Sequence, residues 1–318
     1  MIGGFEVAEV TPLDHGGVSG STLERVRTVD GRVLVVKTEN PEAGWLAKIT
    51  GDDGRLVRLW STGVLGRLPA SIDCAIEAVE EQPTGWRVVM RDVTSSLFSP
   101  DHQLSRGESR QVMAAVASMH REFAGSGLDG LCPLIERLSF LTPAAVESLP
   151  SHPLGPVVTE GWARFPEVVP ADVSRSLLAL LEQPTALASA LRQYRPSLVH
   201  GDLKVANMGL TGDRVVILDW GSLTGPAPPA MDYAWYLAIN GATIDASLDD
   251  LLSDVCEVLE PEDREAVPLA LVGGLLQLGW EKALGATSDD PAVRARERAG
   301  LRWWCDRATE ALDASSLL

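Results

Sequence analysis

With 318 residues the chain is long enough for two lobes with separate cores. Its formal net charge of -17 and isoelectric point near 4.7 exclude the basic stripe that a nucleic-acid partner requires. That acidity suits either plain solubility or the attraction of a cationic small molecule, and no run of about 18 apolar residues offers a membrane span.

Residues 5–10 and 23–29 alternate apolar and polar positions, and Val33-Leu34-Val35-Val36-Lys37 follows an Asp30-Gly31 turn. This predicts three strands, the last two joined as a hairpin. Between the first two lies His15-Gly16-Gly17-Val18-Ser19-Gly20-Ser21, where small residues either let backbone N–H groups approach a phosphate or simply close a loop. Thr50-Gly51-Asp52-Asp53 reads as a capping box opening a helix with Leu56, Leu59 and Trp60 on its apolar face. Residues 72–80 and 86–90 read as a second hairpin, turned by Pro83-Thr84-Gly85.

From Ser105 the pattern becomes mainly helical. Ser105 to Glu108 is another capping box, and Val112, Val116, Met119 and Phe123 follow at helical spacing, with His120 read as a packed core residue. Thr142-Pro143 starts a short helix. Residues 151–170 are rich in proline and glycine and read as a surface loop or as a flap over a bound molecule. A proline-rich loop at 225–229 precedes Asp232, and helices are predicted over 248–259, 262–284 and 291–312.

The densest chemistry lies in residues 198–221, LVHGDLKVANMGLTGDRVVILDWG. Asp202, in a polar loop after Leu198-Val199, can take a proton from a hydroxyl or orient it. Lys204 projects from the same side of an extended segment and can neutralise a phosphate. Asn207 and Asp219 offer hard oxygen ligands from adjacent turns, suited to magnesium bridging nucleotide phosphates. Thr211-Gly212-Asp213 folds one strand back on the other, which brings Asp219 beside Asn207.

The pattern H-G-D-L-x-x-x-N, a hydrophobic strand and I-L-D-W-G resembles the catalytic and metal-binding loops of the aminoglycoside phosphotransferase and choline kinase-like families. These are small-molecule kinases of protein-kinase-like fold. The resemblance implies an α+β, bilobal architecture, with a small β-rich N-lobe at 1–90 and a larger, mainly helical C-lobe at 91–318. It implies ATP and magnesium as cofactors and a hydroxyl-bearing small molecule as acceptor, with no nucleic-acid or membrane partner.

Carried over residue by residue, Asp202 resembles the catalytic base, with Lys204 beside it where many antibiotic kinases have histidine. Asn207 and Asp219 resemble the metal ligands, His200 the brace of the loop, and Asp232 the aspartate that ties the loop down. Lys37 resembles the strand lysine at the α- and β-phosphates. Ser19, Gly20 and Ser21 fall at the phosphate-facing loop, and Met90 and Asp92 in the linker whose backbone meets an adenine. Kinases carry a glutamate partner for the lysine on the following helix, yet residues 51–65 contain none. Asp53, Glu39 and Glu42 are the substitutes. The missing helix glutamate admits a second reading, a nucleotide-binding pseudokinase without transfer.

In these families the C-terminal helices line the acceptor site, which makes Trp280, Glu281, Arg302, Trp303 and Trp304 candidates to stack on a ring or hold an amine. Cys74, Cys132, Cys256 and Cys305 are scattered without metal-type spacing and read as free thiols of a reducing compartment. The opening MIGGFEVAEV lacks the basic and apolar segments of a secretory leader, so a cytoplasmic location is expected.

Overall fold

The computed structural model of the chain describes residues 1–13, 21–149 and 153–315. Strands β1 (Val7–Leu13), β2 (Thr22–Thr28) and β3 (Val33–Glu39) are followed by helices α1 (Trp45–Thr50) and α2 (Arg55–Ser61). Strands β4 (Ile72–Asp73), β5 (Ile76–Gln82) and β6 (Gly85–Arg91) complete the β-rich part. β1, β2, β3, β6 and β5 pair in that order as an antiparallel sheet.

Period-two alternation divides the sheet between two cores. Val26, Leu34, Val36 and Val89 form a small cluster on one face, while Trp86 and Val88 join the main core on the other. The tight return between β2 and β3 uses Gly31 at φ +87, a conformation glycine adopts without a Cβ penalty.

The expected strand over 72–80 is two strands. The chain breaks at Cys74-Ala75, where Ala75 takes φ +59, and the Asp73 carboxylate turns back to accept the Ala75 N–H at 3.0 Å. Asp73 also pairs with Arg91, so the break is held by a charge-assisted contact.

The expected capping box at Thr50 is likewise displaced. Thr50 is the last residue of α1, which Gly51 closes in the left-handed region at φ +60. Asp52 then organises the start of α2, its Oδ1 accepting the N–H groups of Gly54 at 2.9 Å and Arg55 at 2.8 Å. Leu56 and Leu59 are buried as the spacing predicts.

The helical part begins with β7 (Leu104–Ser105) and α3 (Arg106–Glu122), opened by the predicted reciprocal cap between Ser105 and Glu108. Then come α4 (Leu134–Ser139), α5 (Pro143–Glu147), α6 (Gly155–Val168), α7 (Ala171–Glu182) and α8 (Thr185–Leu191). Thr142 caps α5 as expected, its side chain accepting the Ala145 N–H. β8 (Ser197–Val199), β9 (Met208–Thr211), β10 (Arg214–Ile217) and β11 (Gly225–Ala227) carry the central motif, where β8 pairs with β11 and β10 lies between β9 and β4. The chain continues through α9 (Ala230–Asn240), β12 (Ile244–Asp245), α10 (Leu248–Val258), α11 (Val267–Ala286) and α12 (Pro291–Asp313).

α11 runs through the core, apolar on almost every side, and α6, α9 and α12 pack around it. Its start lies later than the predicted 262, after a short 3₁₀ turn, because Pro268 is accommodated only in a first turn. The segment read as loop or flap at 151–170 is, from Gly155 onward, helix α6; residues 151 and 152 lie outside the described residues. Val158, Gly161, Trp162 and Phe165 form its buried stripe, and a Cβ on Gly161 would stand 2.3 Å from the Trp280 carbonyl oxygen. The absence of a side chain there lets α6 press against α11. No helix among the described residues is long and apolar enough to cross a membrane.

Candidate active site

The central loop leaves β8 at His200 and turns through Gly201 at φ +83, where a Cβ would stand 2.4 Å from the Leu223 carbonyl oxygen. Glycine is therefore required on both conformational and steric grounds. α9 fastens this loop at both of its ends. At its start the buried Asp232 accepts the N–H groups of His200 and Gly201, each at 2.8 Å, with His120 Nε2 at 3.0 Å from the same carboxylate. At its end Asn240 accepts the Val205 N–H at 2.9 Å and donates to the Leu203 carbonyl at 2.7 Å. His120 is a core residue, and its partner in that core is the aspartate that holds the loop.

His200 accepts the Asp202 N–H at Nδ1 at 3.2 Å, with Nε2 donating to the Leu218 carbonyl at 3.0 Å. This arrangement requires the neutral ring, and burial lowers its pKa accordingly. The histidine thus couples the loop that bears Asp202 to the turn that bears Asp219.

Asp202 Oδ2 accepts from Lys204 Nζ at 2.7 Å and from Asn207 Nδ2 at 2.9 Å. Asn207 turns its amide nitrogen toward Asp202, which leaves its carbonyl oxygen for another partner. Burial pushes the Lys204 pKa down, but the charges of Asp202 and Asp219 outweigh it, and the ammonium is stabilised. Asp219 adopts φ +67, uncommon for a residue with a side chain. Its Oδ1 lies 2.5 Å from Lys37 Nζ, and the lysine charge holds its carboxyl at about 2. Lys37 is also desolvated, which alone would lower its pKa, yet Asp219 and Glu39 together raise it.

Ser21, Lys37, Asp202 and Asp219 line one cleft between the sheet and the helical part. Ser19 and Gly20 lie outside the described residues. Met90 lies within β6, which extends to Arg91 rather than ending as a free linker at 90. The Asp92 N–H is spent on the Val33 carbonyl at 3.2 Å, and its carboxylate accepts from Arg25 at 2.9 Å and from Thr94. The Asp92 N–H is therefore already engaged with the sheet and is not a free adenine donor.

Among the substitutes for a helix glutamate, Glu39 meets Lys37 at 2.6 Å. Asp53 pairs instead with Arg58 at 2.6 Å, and Glu42 lines a separate depression with Asp53 and Arg58. Of the C-terminal candidates, Trp280 and Trp304 are core residues, and Trp280 Nε1 donates to the Gln277 carbonyl at 3.0 Å. Trp303 donates to Asp249, and Arg302 and Glu281 are exposed.

Two groups beyond the sequence reading complete the site. Asn240 is one. The other is a clamp on the turn after Asp219: Asp52 Oδ2 accepts from Ser222 Oγ at 2.7 Å, while the buried Arg55 donates to the Ser222 carbonyl at 2.6 Å and to Glu136 at 2.6 Å. An asparagine immediately before Gly241 at a helix end is a readable local signal. The clamp joins segments 170 and 167 residues apart and leaves none.

Among the described residues no cluster of three or more histidine, cysteine or acidic side chains could hold a metal alone. Asn207 and Asp219 supply two hard oxygens, the incomplete donor set that suits magnesium when substrate phosphates provide the remainder.

The backbone is similar to that of choline kinase LicA from Streptococcus pneumoniae, at 15% identity and a TM-score of 0.50, over 98% of this chain and 95% of that one. It is similar also to a spectinomycin phosphotransferase solved with ADP and spectinomycin, at 11% identity and a TM-score of 0.52, over 97% and 94%. A choline/ethanolamine kinase family protein from Mesorhizobium loti matches at 16% identity and a TM-score of 0.51, over 97% and 93%. No curated relative matches the chain. These likenesses establish a bilobal, protein-kinase-like fold, and residues 9–265 match the phosphotransferase enzyme family, to which this chain belongs.

Proposed function

We propose that the chain is an ATP-dependent kinase that moves the γ-phosphate to a hydroxyl of a small molecule, with the nucleotide bound between a lobe of residues 1–90 and one of residues 91–318. The observation that carries the reading is that two charge-assisted groups, Lys204 and Asn207 on Asp202 and Lys37 on Asp219, are coupled through His200, with Asp202, Asp219 and Lys37 lining one cleft. Lys37 holds the α- and β-phosphates. Asn207 and Asp219 would hold magnesium, which would supply neutralisation of charge on the transferring group.

Asp202 orients the acceptor hydroxyl and takes its proton, and the neighbouring Lys204 screens the γ-phosphate. Positioning and charge neutralisation are the main contributions of a protein to phosphoryl transfer. The acceptor classes that fit an acidic chain are amino sugars, aminocyclitols and amino alcohols, whose cationic nitrogen the overall charge attracts. A non-transferring nucleotide-binding module is the rival reading, favoured by the lack of a helix glutamate. Glu39 beside Lys37 removes that support.

The test is ADP formation by purified protein with magnesium and ATP, across a panel of aminoglycosides, macrolides, amino sugars, sugars and choline. One acceptor class is expected to turn over, and Asp202→Ala to lose at least about 1,000-fold in kcat while nucleotide binding survives. Full turnover in that variant would sink the assignment. Nucleotide binding with no turnover on any acceptor would favour the rival.

A further inference from the structure

The lysine of this cleft takes its carboxylate from its own strand. Lys37 and Glu39 are two residues apart on β3 and therefore share a face of the sheet. Glu39 Oε1 lies 2.6 Å from Lys37 Nζ, and its other oxygen accepts the indole N–H of Trp86 at 2.8 Å. Trp86 is the cross-strand partner of Glu39 on β6 and is buried, so the indole is fixed by the core. Both oxygens of the carboxylate are thereby engaged. Gly85 makes the approach of the two strands possible here, because a Cβ on it would stand 1.9 Å from the Glu39 carbonyl oxygen.

The helices that follow β3 cannot supply this partner. The buried charge α2 carries inward is a cation, Arg55, spent on Thr50, Ser222 and Glu136. Asp52 is occupied by its helix start and by Ser222, and Asp53 by Arg58.

We infer that Glu39, held by Trp86, is the permanent positioning residue of Lys37, and that Asp219 is its exchangeable one. This rests on the proposed nucleotide site. With nucleotide bound, Lys37 exchanges Asp219 for phosphate oxygens, which frees Asp219 for the magnesium it would hold, while the Glu39 contact stays. The lysine is then held in place from within the sheet. No helix movement is needed to assemble the pair, in contrast to a kinase whose glutamate arrives on a mobile helix.

The experiment is a double-mutant cycle read by calorimetric binding of magnesium and a non-hydrolysable ATP analogue, with no acceptor and no turnover. Glu39→Gln is expected to weaken binding about tenfold and Trp86→Phe about threefold. In a Lys37→Ala background neither is expected to weaken it further, because the residue they position is gone. The acceptor KM is expected to stay unchanged in Trp86→Phe.

Unchanged binding in Glu39→Gln, or an equal loss in the Lys37→Ala background, overturns the inference. If Glu39→Gln does not fold, Trp86→Phe carries the same cycle alone. Failure of the underlying function is distinguishable, since the wild type would then bind no analogue at all.

Discussion

Gly201 and Asp232 are joined by a 2.8 Å hydrogen bond, the backbone N–H of the glycine donating to a carboxylate 31 residues further along the chain. The other oxygen of that carboxylate takes the His200 N–H at 2.8 Å. Asp232→Ala strands two buried N–H groups and the His120 ring, so a loss of about 3 kcal/mol is expected in urea unfolding, with a parallel fall in kcat. Burial opposes ionisation of Asp232, but His120, His200 and the Gly201 N–H together outweigh it and the pKa is lowered. A depressed carboxylate stabilises the fold above its unfolded pKa, and that contribution disappears as pH falls through the folded value. The alanine variant is therefore expected to show a shallower loss of stability below about pH 4 than the wild type.

The opposite end of α9 offers an independent check. Asn240→Ala leaves the Val205 N–H and the Leu203 carbonyl without their side-chain partners next to Lys204. An expected cost is about 2 kcal/mol, with kcat falling more than nucleotide affinity because the bonds hold the loop that bears Asp202 and not the sheet. Stability unchanged within 0.5 kcal/mol, roughly the scatter of a surface substitution, would contradict the role given to Asn240.

The central motif is legible in the sequence because its side chains act within a few residues of one another: Asp202, Lys204 and Asn207 meet inside one loop. The strands and C-terminal helices are legible for a related reason, since period and caps are local. Lys37-Thr38-Glu39 is visible too, but a lysine and glutamate two apart on a strand form an equally ordinary pair on a solvated face. Only the Trp86 indole, brought over by strand pairing, distinguishes the two cases.

The residues after 154 mislead because five of residues 155–170 are proline or glycine, although Val158, Trp162 and Phe165 keep helical spacing. Gly161 is there for close packing on Trp280, a cause that lies in another helix. The Asp52, Arg55 and Ser222 clamp has no local pattern at all.

Acid titration tests the cleft pair directly. The Lys37 charge depresses the Asp219 pKa to about 2, below the ordinary value, and Lys37 is itself raised. The stabilisation from Asp219 is then present above about pH 4 and lost as pH falls toward 2, while that from Lys37 is present below about pH 10 and lost only in strong alkali. Asp219→Asn is expected to flatten the acid limb of stability against pH. Because the Asp219 side chain is 37% exposed, solvent screens the pair and the effect is modest. An acid limb unchanged in that variant would show that the pair contributes nothing to the fold.

The clamp on the turn that bears Asp219 yields a prediction that separates stability from nucleotide affinity. Ser222→Ala removes the hydroxyl that donates to Asp52 at 2.7 Å but leaves the Ser222 carbonyl bound to Arg55. The expected cost is about 1 kcal/mol, since Asp52 retains its bonds to the start of α2. Glu136→Gln acts on the other side, leaving the buried Arg55 guanidinium with carbonyl partners only. Its expected cost is larger, about 2 kcal/mol, moderated by the partial exposure of Glu136.

Both variants loosen the turn three residues or fewer from Asp219 and leave Glu39 and Trp86 untouched. The magnesium concentration needed for half-maximal nucleotide binding is therefore expected to rise in each, while binding at saturating magnesium recovers. A rise that saturating magnesium does not correct would place the damage in the sheet and not in the turn that bears Asp219.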